Sequence, residues 1–376
     1  MSVPRELVCF GDDWGRHPNS TQHLVQQLLG TFRVIWINSI GWRTPRLNRQ
    51  DVLRALRKLR TAARGTEAPH PNMVVYTPLV IPWYRSAAVR RLNAQLLQRA
   101  LRRLVRRHGF SRYSLMTTYP AMVDVFERMT GVRRIYYCVD DYTIFPGLDT
   151  DLVRAQEARL LAAVDVVVTT AETLKEAKSA AHAHVVNIPH GVDAEHFAKA
   201  ADPSTRVPDD LARVARPVIG FFGMLAEWVD IPLIREVALA RPGWSIVLIG
   251  NATTDLGALH GLPNVHLLGP RPYASLPGYC RGFDVTIIPF VRNDLTMRVN
   301  PLKLREYLAA GKPVVSTPLP EVLQFGELVR AADSAADFVR EIEHCLVDDP
   351  ALSARRMSSV RSETWAARAA DLAEVL

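Results

Sequence analysis

The sequence predicts an α/β protein built as two doubly wound, largely parallel sheets. Three observations carry that expectation. Short apolar runs such as VIWIN (34–38) and VDVVVTT (164–170) alternate with helix-period segments, as in strands buried on both faces. The alternation pauses at a polar stretch with two prolines, DPSTRVPDD (202–210), and then restarts. At 376 residues the chain is also long enough for two cores of ordinary size.

The first half opens with a strand at 6–10 (ELVCF). A capped helix follows over 19–29, with Leu24, Val25, Leu28 and Leu29 on one face, and then VIWIN. MVVYT (73–77), a long Arg-rich helix from about 86 to 108, YSLMTT (113–118), RIYYCV (134–139) and VDVVVTT come next, and HVVNIPHGVD (184–193) closes the half. After the polar stretch, RPVIGFFG (216–223), WSIVLIG (244–250), VHLLG (265–269), FDVTIIPF (283–290) and KPVVSTP (312–318) give five more strand candidates. The expected domains are 1–200 and 201–361, with residues 362–376 as a terminal helix. Two sheets of this kind should face each other across a cleft, with ligands beyond the carboxyl ends of their strands.

Nearly half the residues are hydrophobic and the charged fraction is ordinary, which excludes a disordered chain. No run reaches the roughly 20 apolar residues of a membrane-spanning helix, and the start lacks the pattern of a secretory signal. Cys9, Cys138, Cys280 and Cys345 lie far apart and read as reduced, buried thiols, with no metal site among them. These features point to a cytoplasmic protein. The net charge of +8 is uneven: residues 43–134 hold 20 Lys/Arg against 4 Asp/Glu. Such a block suits an anionic membrane surface, placing the protein at its inner face, or an acidic acceptor; a solvated face of Arg-rich helices is the plainer reading. No recognition motif or aromatic interleaving supports a nucleic-acid partner.

The most informative stretch is NPLKLREYLAAGKPVVSTP (300–318). Asn300 suits an N-cap and Pro301 the first helical position, while Gly311 fits just past the C-terminus. Lys303 then sits in the first turn, where the helix dipole disfavours a cation. An anion at that end would account for it. Lys303 and Glu306, three apart, share one side of the helix and could hold a phosphate and ribose hydroxyls, respectively. A surface i,i+3 ion pair is the alternative.

Together, PLKLREYLAAGKPVV, IPHGVDAEHF (188–197), NVHLLGPRPYASLPGYCRGFDVTIIPF (264–290) and SETWAARAADLAEVL (362–376) resemble the GT-B glycosyltransferase superfamily, in particular group 1 and bacterial cell-envelope, teichuronic-acid-type enzymes. The resemblance implies two Rossmann-like domains, the first binding an acceptor and the second a nucleotide-sugar donor, with the terminal helix packing back on the first. It implies that Lys303 binds the donor diphosphate and Glu306 the ribose. Asn300, Pro301 and Leu302 would flank that anion, Gly223 and Met224 would lie beside it, and the loop from Gly269 through Arg271 to Tyr273 would meet the base. Two positions depart from the family pattern. Arg298 stands eight residues before Glu306, where many relatives carry a glutamate, and GMLAEWVD (223–230) lacks the usual basic residue. Neutralisation of the diphosphate would then fall on Lys303, helped by Arg292 or Arg298, with Arg298 alternatively reading an acidic sugar.

YYCVDDYTIFPG (136–147) sets Asp140 and Asp141 at the carboxyl end of a strand. Transfer of a sugar to an alcohol needs a proton acceptor, and a carboxylate of raised pKa suits it. Only one of two adjacent acids on extended chain faces a given side, and the resemblance favours Asp140; a turn or cap role is the alternative. In GDDWGRHPNSTQHL (11–24), Asp13, Trp14 and Arg16 are candidates for the acceptor site. The activity so implied is transfer from a nucleotide-diphosphate sugar to a glycan or lipid-linked acceptor, without metal or other cofactor. A sugar-nucleotide epimerase or a non-catalytic binding subunit on the same fold stays open, as does retention against inversion.

Overall fold

The computed structural model describes residues 5–15, 19–39, 66–81, 83–347 and 349–376. It divides into two compact units, one comprising 1–189 with 368–376, the other 190–367. DPSTRVPDD therefore lies inside the second unit and does not join the two. The reason is steric: Gly278 and Gly282 on the helix Leu276–Gly282 leave no side chain on the facing surface, so a Cβ on Gly278 would come within 2.7 Å of the Arg206 carbonyl oxygen. The stretch lies flat on that helix.

In the first unit the strands are β1 (Arg5–Phe10), β2 (Phe32–Ile37), β3 (Thr66–His70), β4 (Met73–Tyr76), β5 (Tyr113–Thr117), β6 (Arg133–Cys138), β7 (Val166–Thr169) and β8 (Val185–Asn187). They form one sheet in the order β3-β4-β2-β1-β5-β6-β7-β8, parallel except for the β3–β4 pair. β3 is an edge strand, mostly exposed, whose TEAPH run has no alternating apolar pattern and so carries no local strand signal. The chain direction of growth reverses between β1 and β5, a switch point where the loops diverge and leave room for a ligand.

The second sheet contains β9 (Val218–Phe222), β10 (Ser245–Ile249), β11 (Val265–Gly269), β12 (Val285–Ile288), β13 (Val314–Ser316) and the two-residue β14 (Arg330–Ala331). Their order is β11-β10-β9-β12-β13-β14, with the switch point between β9 and β12. β9, β10 and β12 are buried at every residue, as continuous apolar runs require when helices cover both faces. All four cysteines are free and buried. Among the described residues no helix is long and apolar enough to cross a membrane, and no His, Cys, Asp or Glu cluster has a metal-holding arrangement.

Candidate functional site

In the second unit, the helix Leu302–Ala309 delivers Lys303 to the switch point of its sheet. The helix is held there by Tyr307, whose hydroxyl accepts from the Phe222 N–H at 3.0 Å while its ring meets Phe222 edge-on. It ends as the sequence predicts. Gly311 adopts φ +70°, the Gly311 N–H bonds the Leu308 carbonyl at 2.9 Å, and the Lys312 N–H bonds the Tyr307 carbonyl at 3.0 Å, the paired closure of a Schellman turn.

Its beginning differs from expectation. Pro301, not Asn300, occupies the cap position, and no side chain caps the helix. Asn300 is buried and its carbonyl oxygen is taken by the Arg305 guanidinium, which also bonds Glu363. Arg305 is itself buried, and satisfying its donors takes precedence over capping. Among the described residues the first-turn N–H groups therefore have no side-chain acceptor at the end where Lys303 stands.

Lys303 is half-buried. Its Nζ lies 5.2 Å from the Phe221 ring centroid and 4.8 Å from that of Phe290, the first within β9 and the second two residues past the end of β12. Among the described residues it makes no hydrogen bond or ion pair. Burial pulls its pKa down to about 8, with Glu306 opposing the shift, and burial pushes Glu306 up to about 7 against the pull of Lys303. The ammonium thus sits on aromatic faces, partly desolvated.

Three glycines at adjacent strand ends form the floor beside it. Gly223 has φ +140°, and a Cβ there would lie 2.9 Å from Lys303 Cε. A Cβ on Gly250 would lie 1.8 Å from the Gly223 carbonyl oxygen. The Gly223 N–H bonds Ile249 and the Gly250 N–H bonds Gly269, at 2.9 and 3.0 Å. Gly250 was not singled out from the sequence, although it ends WSIVLIG as Gly223 ends VIGFFG.

The other donor-side candidates are placed as follows. Met224 is exposed, next to Gly223. Pro301 is buried and Leu302 half-buried at the head of the lysine helix. Tyr273 stacks on His196 with centroids 4.7 Å apart, and its carbonyl accepts from His196 Nε2 at 3.0 Å. Burial, then Glu306 and Asp193, push the Tyr273 hydroxyl up, which brings Tyr273 into the field of Glu306. The guanidinium of Arg271 is engaged with Asp210 at 2.7 Å and with the Tyr279 hydroxyl. Arg292 is paired with Asp333 at the surface, and Arg298 is half-buried in the turn Thr296–Arg298.

In the first unit the two adjacent acids part ways. Asp141 is buried and accepts from the Thr143 hydroxyl at 2.6 Å and from Lys178 Nζ at 3.2 Å. Lys178 also bonds Glu157 at 2.8 Å, and Glu157 takes the Tyr136 hydroxyl at 2.9 Å. Asp141 therefore has the turn-and-network role that was its alternative reading, and its charge is balanced. Asp140 is half-buried, and its carboxyl is pushed up to about 6 by burial and then by Asp141.

Beside Asp140 the structure assembles residues that the sequence did not flag. Tyr119 follows β5, and its hydroxyl donates a hydrogen bond to Asp12 after β1, spanning the switch point. The Tyr142 and Tyr119 ring centroids are 6.1 Å apart, and Tyr142 feels the charge of Asp140 and Asp12. Asp12 neighbours Asp13 in the same GDD run; nothing in YSLMTTY distinguished Tyr119. Asp13 accepts from Ser39 at 3.0 Å, and Trp14 packs edge-on against Trp36 at 4.9 Å, so that loop is packed by its own tryptophan. Arg16 lies outside the described residues.

Residues 216–348 match the model of the family Glycosyl transferases group 1. A Bacillus subtilis protein provisionally named as the teichuronic acid biosynthesis glycosyltransferase TuaH is 29% identical over 231 residues, covering 57% of this chain and 57% of that relative. The match thus spans little more than half the relative's length. Among solved structures, Anabaena HepE in complex with UDP and glucose superposes with a TM-score of 0.66 at 14% identity, covering 98% of each chain. A trehalose 6-phosphate synthase of Burkholderia multivorans gives 0.68 at 13%, over 99% of this chain and 98% of the other. The fold is the GT-B fold expected from the sequence, with two parallel-sheet α/β domains, and the resemblance to group 1 glycosyltransferases holds over residues 216–348.

Proposed function

We propose that this chain, a GT-B-fold relative of the group 1 glycosyltransferases, moves a sugar from a nucleotide-diphosphate donor to a hydroxyl of a glycan or lipid-linked acceptor in cell-envelope polysaccharide synthesis. The observation that carries the reading is Lys303: a half-buried ammonium at a helix N-terminus, over two aromatic rings and against the backbone of Gly223. A cation placed there opposes the dipole and is desolvated, so a bound dianion would relieve both costs. In this reading the first-turn N–H groups share the diphosphate with Lys303, and Glu306 accepts from the ribose. The loop through Gly269 and Tyr273 borders the base. Stabilising the departing diphosphate is the main electrostatic contribution to rate.

Asp140 is the base in this reading. Its pKa near 6 leaves it ionised at neutral pH yet basic enough to accept the proton as the acceptor oxygen attacks the anomeric carbon. Tyr142 and the Asp12–Tyr119 pair would border the acceptor, and Asp13 and Trp14 would shape the loop behind it. The reaction in this form calls on neither a metal nor another cofactor. The first unit's basic surface would hold the protein at an anionic membrane on the cytoplasmic side, and nucleic acid is no partner.

Calorimetric titration with UDP-, GDP- and dTDP-sugars, followed by transfer assays on the donor that binds, tests the proposal. Lys303→Ala should lose donor binding with an unchanged melting temperature, and Asp140→Asn should keep donor binding while transfer falls about 10²–10⁴-fold. Full transfer by Lys303→Ala would overturn the assignment, and binding without transfer to any acceptor would favour a non-catalytic subunit.

A further inference from the structure

Between Glu67 and Asp124 the chain contains no acidic residue, and the structure shows where that bias is spent. The helix Ala87–Arg107 carries seven arginines and buries Asn93, Ala94, Leu97, Leu101 and Leu104. Its opposite stripe, at i, i+4, i+7 and i+11, runs Leu92, Leu96, Arg99, Arg103. All four are exposed, Leu92 and Leu96 at 42% and 40%. Arg91, Arg102, Arg106 and Arg107 are exposed alongside them, and among the described residues none of these six arginines has an ion-pair partner.

A second element extends the apolar part of this face. The segment carrying Leu79, Ile81 and Trp83 is clamped to the helix by Asn93, whose amide donates to the Ile81 carbonyl at 2.8 Å and whose oxygen accepts the Ile81 N–H at 2.9 Å. Arg90 bonds the Tyr84 carbonyl at 2.7 Å and tightens the turn. So tethered, Leu79, Ile81 and Trp83 are 57%, 42% and 63% exposed. Several large apolar side chains left in water together are costly and mark an interaction surface.

We infer that this face, with Trp83, Ile81, Leu79, Leu92 and Leu96 as its apolar centre and Arg91, Arg99 and Arg103 around it, docks on an anionic lipid surface. The composition decides the occupant. A soluble polyanion would call for the arginines but would not cover five apolar side chains. A second copy would bring the same unpaired arginines against each other. A lipid surface accepts both: Trp sits at the headgroup level, aliphatic side chains enter the acyl boundary, and arginines meet phosphate. This inference rests on the membrane-bound part of the reading above and not on its transfer chemistry.

Co-sedimentation of the full chain with vesicles of phosphatidylcholine alone or with phosphatidylglycerol is the test, alongside sedimentation velocity and donor calorimetry. Binding should be at least about tenfold stronger to the anionic vesicles. Trp83→Ser with Leu92→Ser should weaken it about tenfold, Arg99→Glu with Arg103→Glu should remove the anionic preference, and donor binding should be unaffected in both. Equal or absent binding to the two vesicle types would overturn the inference. So would polyphosphate binding that survives Trp83→Ser while vesicle binding is unchanged, or a dimer that the Leu92 variant dissociates. Loss of donor binding by Lys303→Ala with vesicle binding intact would separate the two proposals.

Discussion

The two units each hold a helical lysine beside a carboxylate, and the pair could hardly be more different. Lys178 is buried, bonds Asp141 and Glu157 at 3.2 and 2.8 Å, and keeps a raised pKa, because Cys138 and those carboxylates more than offset the burial that lowers it. Lys303 is half-buried over two phenyl rings, makes no such bonds among the described residues, and is lowered to about 8. One ammonium is consumed by the fold. The other is maintained at a cost to the fold, which is how binding groups differ from structural ones.

That difference can be broken experimentally, beginning with stability. Lys178→Ala leaves two buried carboxylates uncompensated and should cost about 3–5 kcal/mol in denaturant unfolding. Lys303→Ala should change stability by less than about 1 kcal/mol. Comparable losses in the two variants would show that Lys303 is also structural. In transfer the order reverses for Lys303→Ala, whose rate should fall about 10²–10³-fold for loss of one preorganised electrostatic group.

Gly223→Ala probes the floor under Lys303. The φ of +140° and the 2.9 Å approach to Lys303 Cε predict a cost of about 1–3 kcal/mol and a weaker donor Kd. An unchanged Kd would mean that the lysine does not need that seat.

The pH dependence sharpens the contrast further. Asp140 must be ionised and Lys303 protonated, so kcat/KM should be bell-shaped with limbs near 6 and 8. Lys303→Arg should move the upper limb beyond pH 9, since a guanidinium stays charged there. An upper limb that stays put would assign it to another group.

The smallest effect is on stability against pH. Folded Lys303 titrates near 8, below its unfolded value of 10.5. The unfolded chain therefore binds more protons between those values, and the Lys303 contribution to stability rises with pH across that window. Lys178, raised in the folded state, contributes in the opposite sense: its stabilisation is present below the unfolded value and lost as pH climbs through the folded one. Comparing wild type with Lys303→Ala at pH 8 and 10, and with Lys178→Ala at pH 10 and above, should give slopes of opposite sign.

Much of this was legible in the residues. Continuous runs such as SIVLI and VVVT and the helix stop at Gly311 specify themselves locally, through burial on both faces and a left-handed turn. Lys303 was visible because a cation in a first turn contradicts the dipole. Proximity was not legible. Asp140 and Asp141 are equivalent in sequence, and only the distant Lys178, Glu157 and Thr143 distinguish them. Asn300 reads as a cap until Arg305, held by Glu363 58 residues onward, claims its oxygen. Local pattern thus determined most of the elements, the two-sheet architecture and the charged helix end, though not the edge strand β3 or the point where one unit passes into the next. Which carboxylate remains chemically available, and what desolvates the lysine, was decided by side chains remote in sequence, because burial and pairing are properties of neighbours in space.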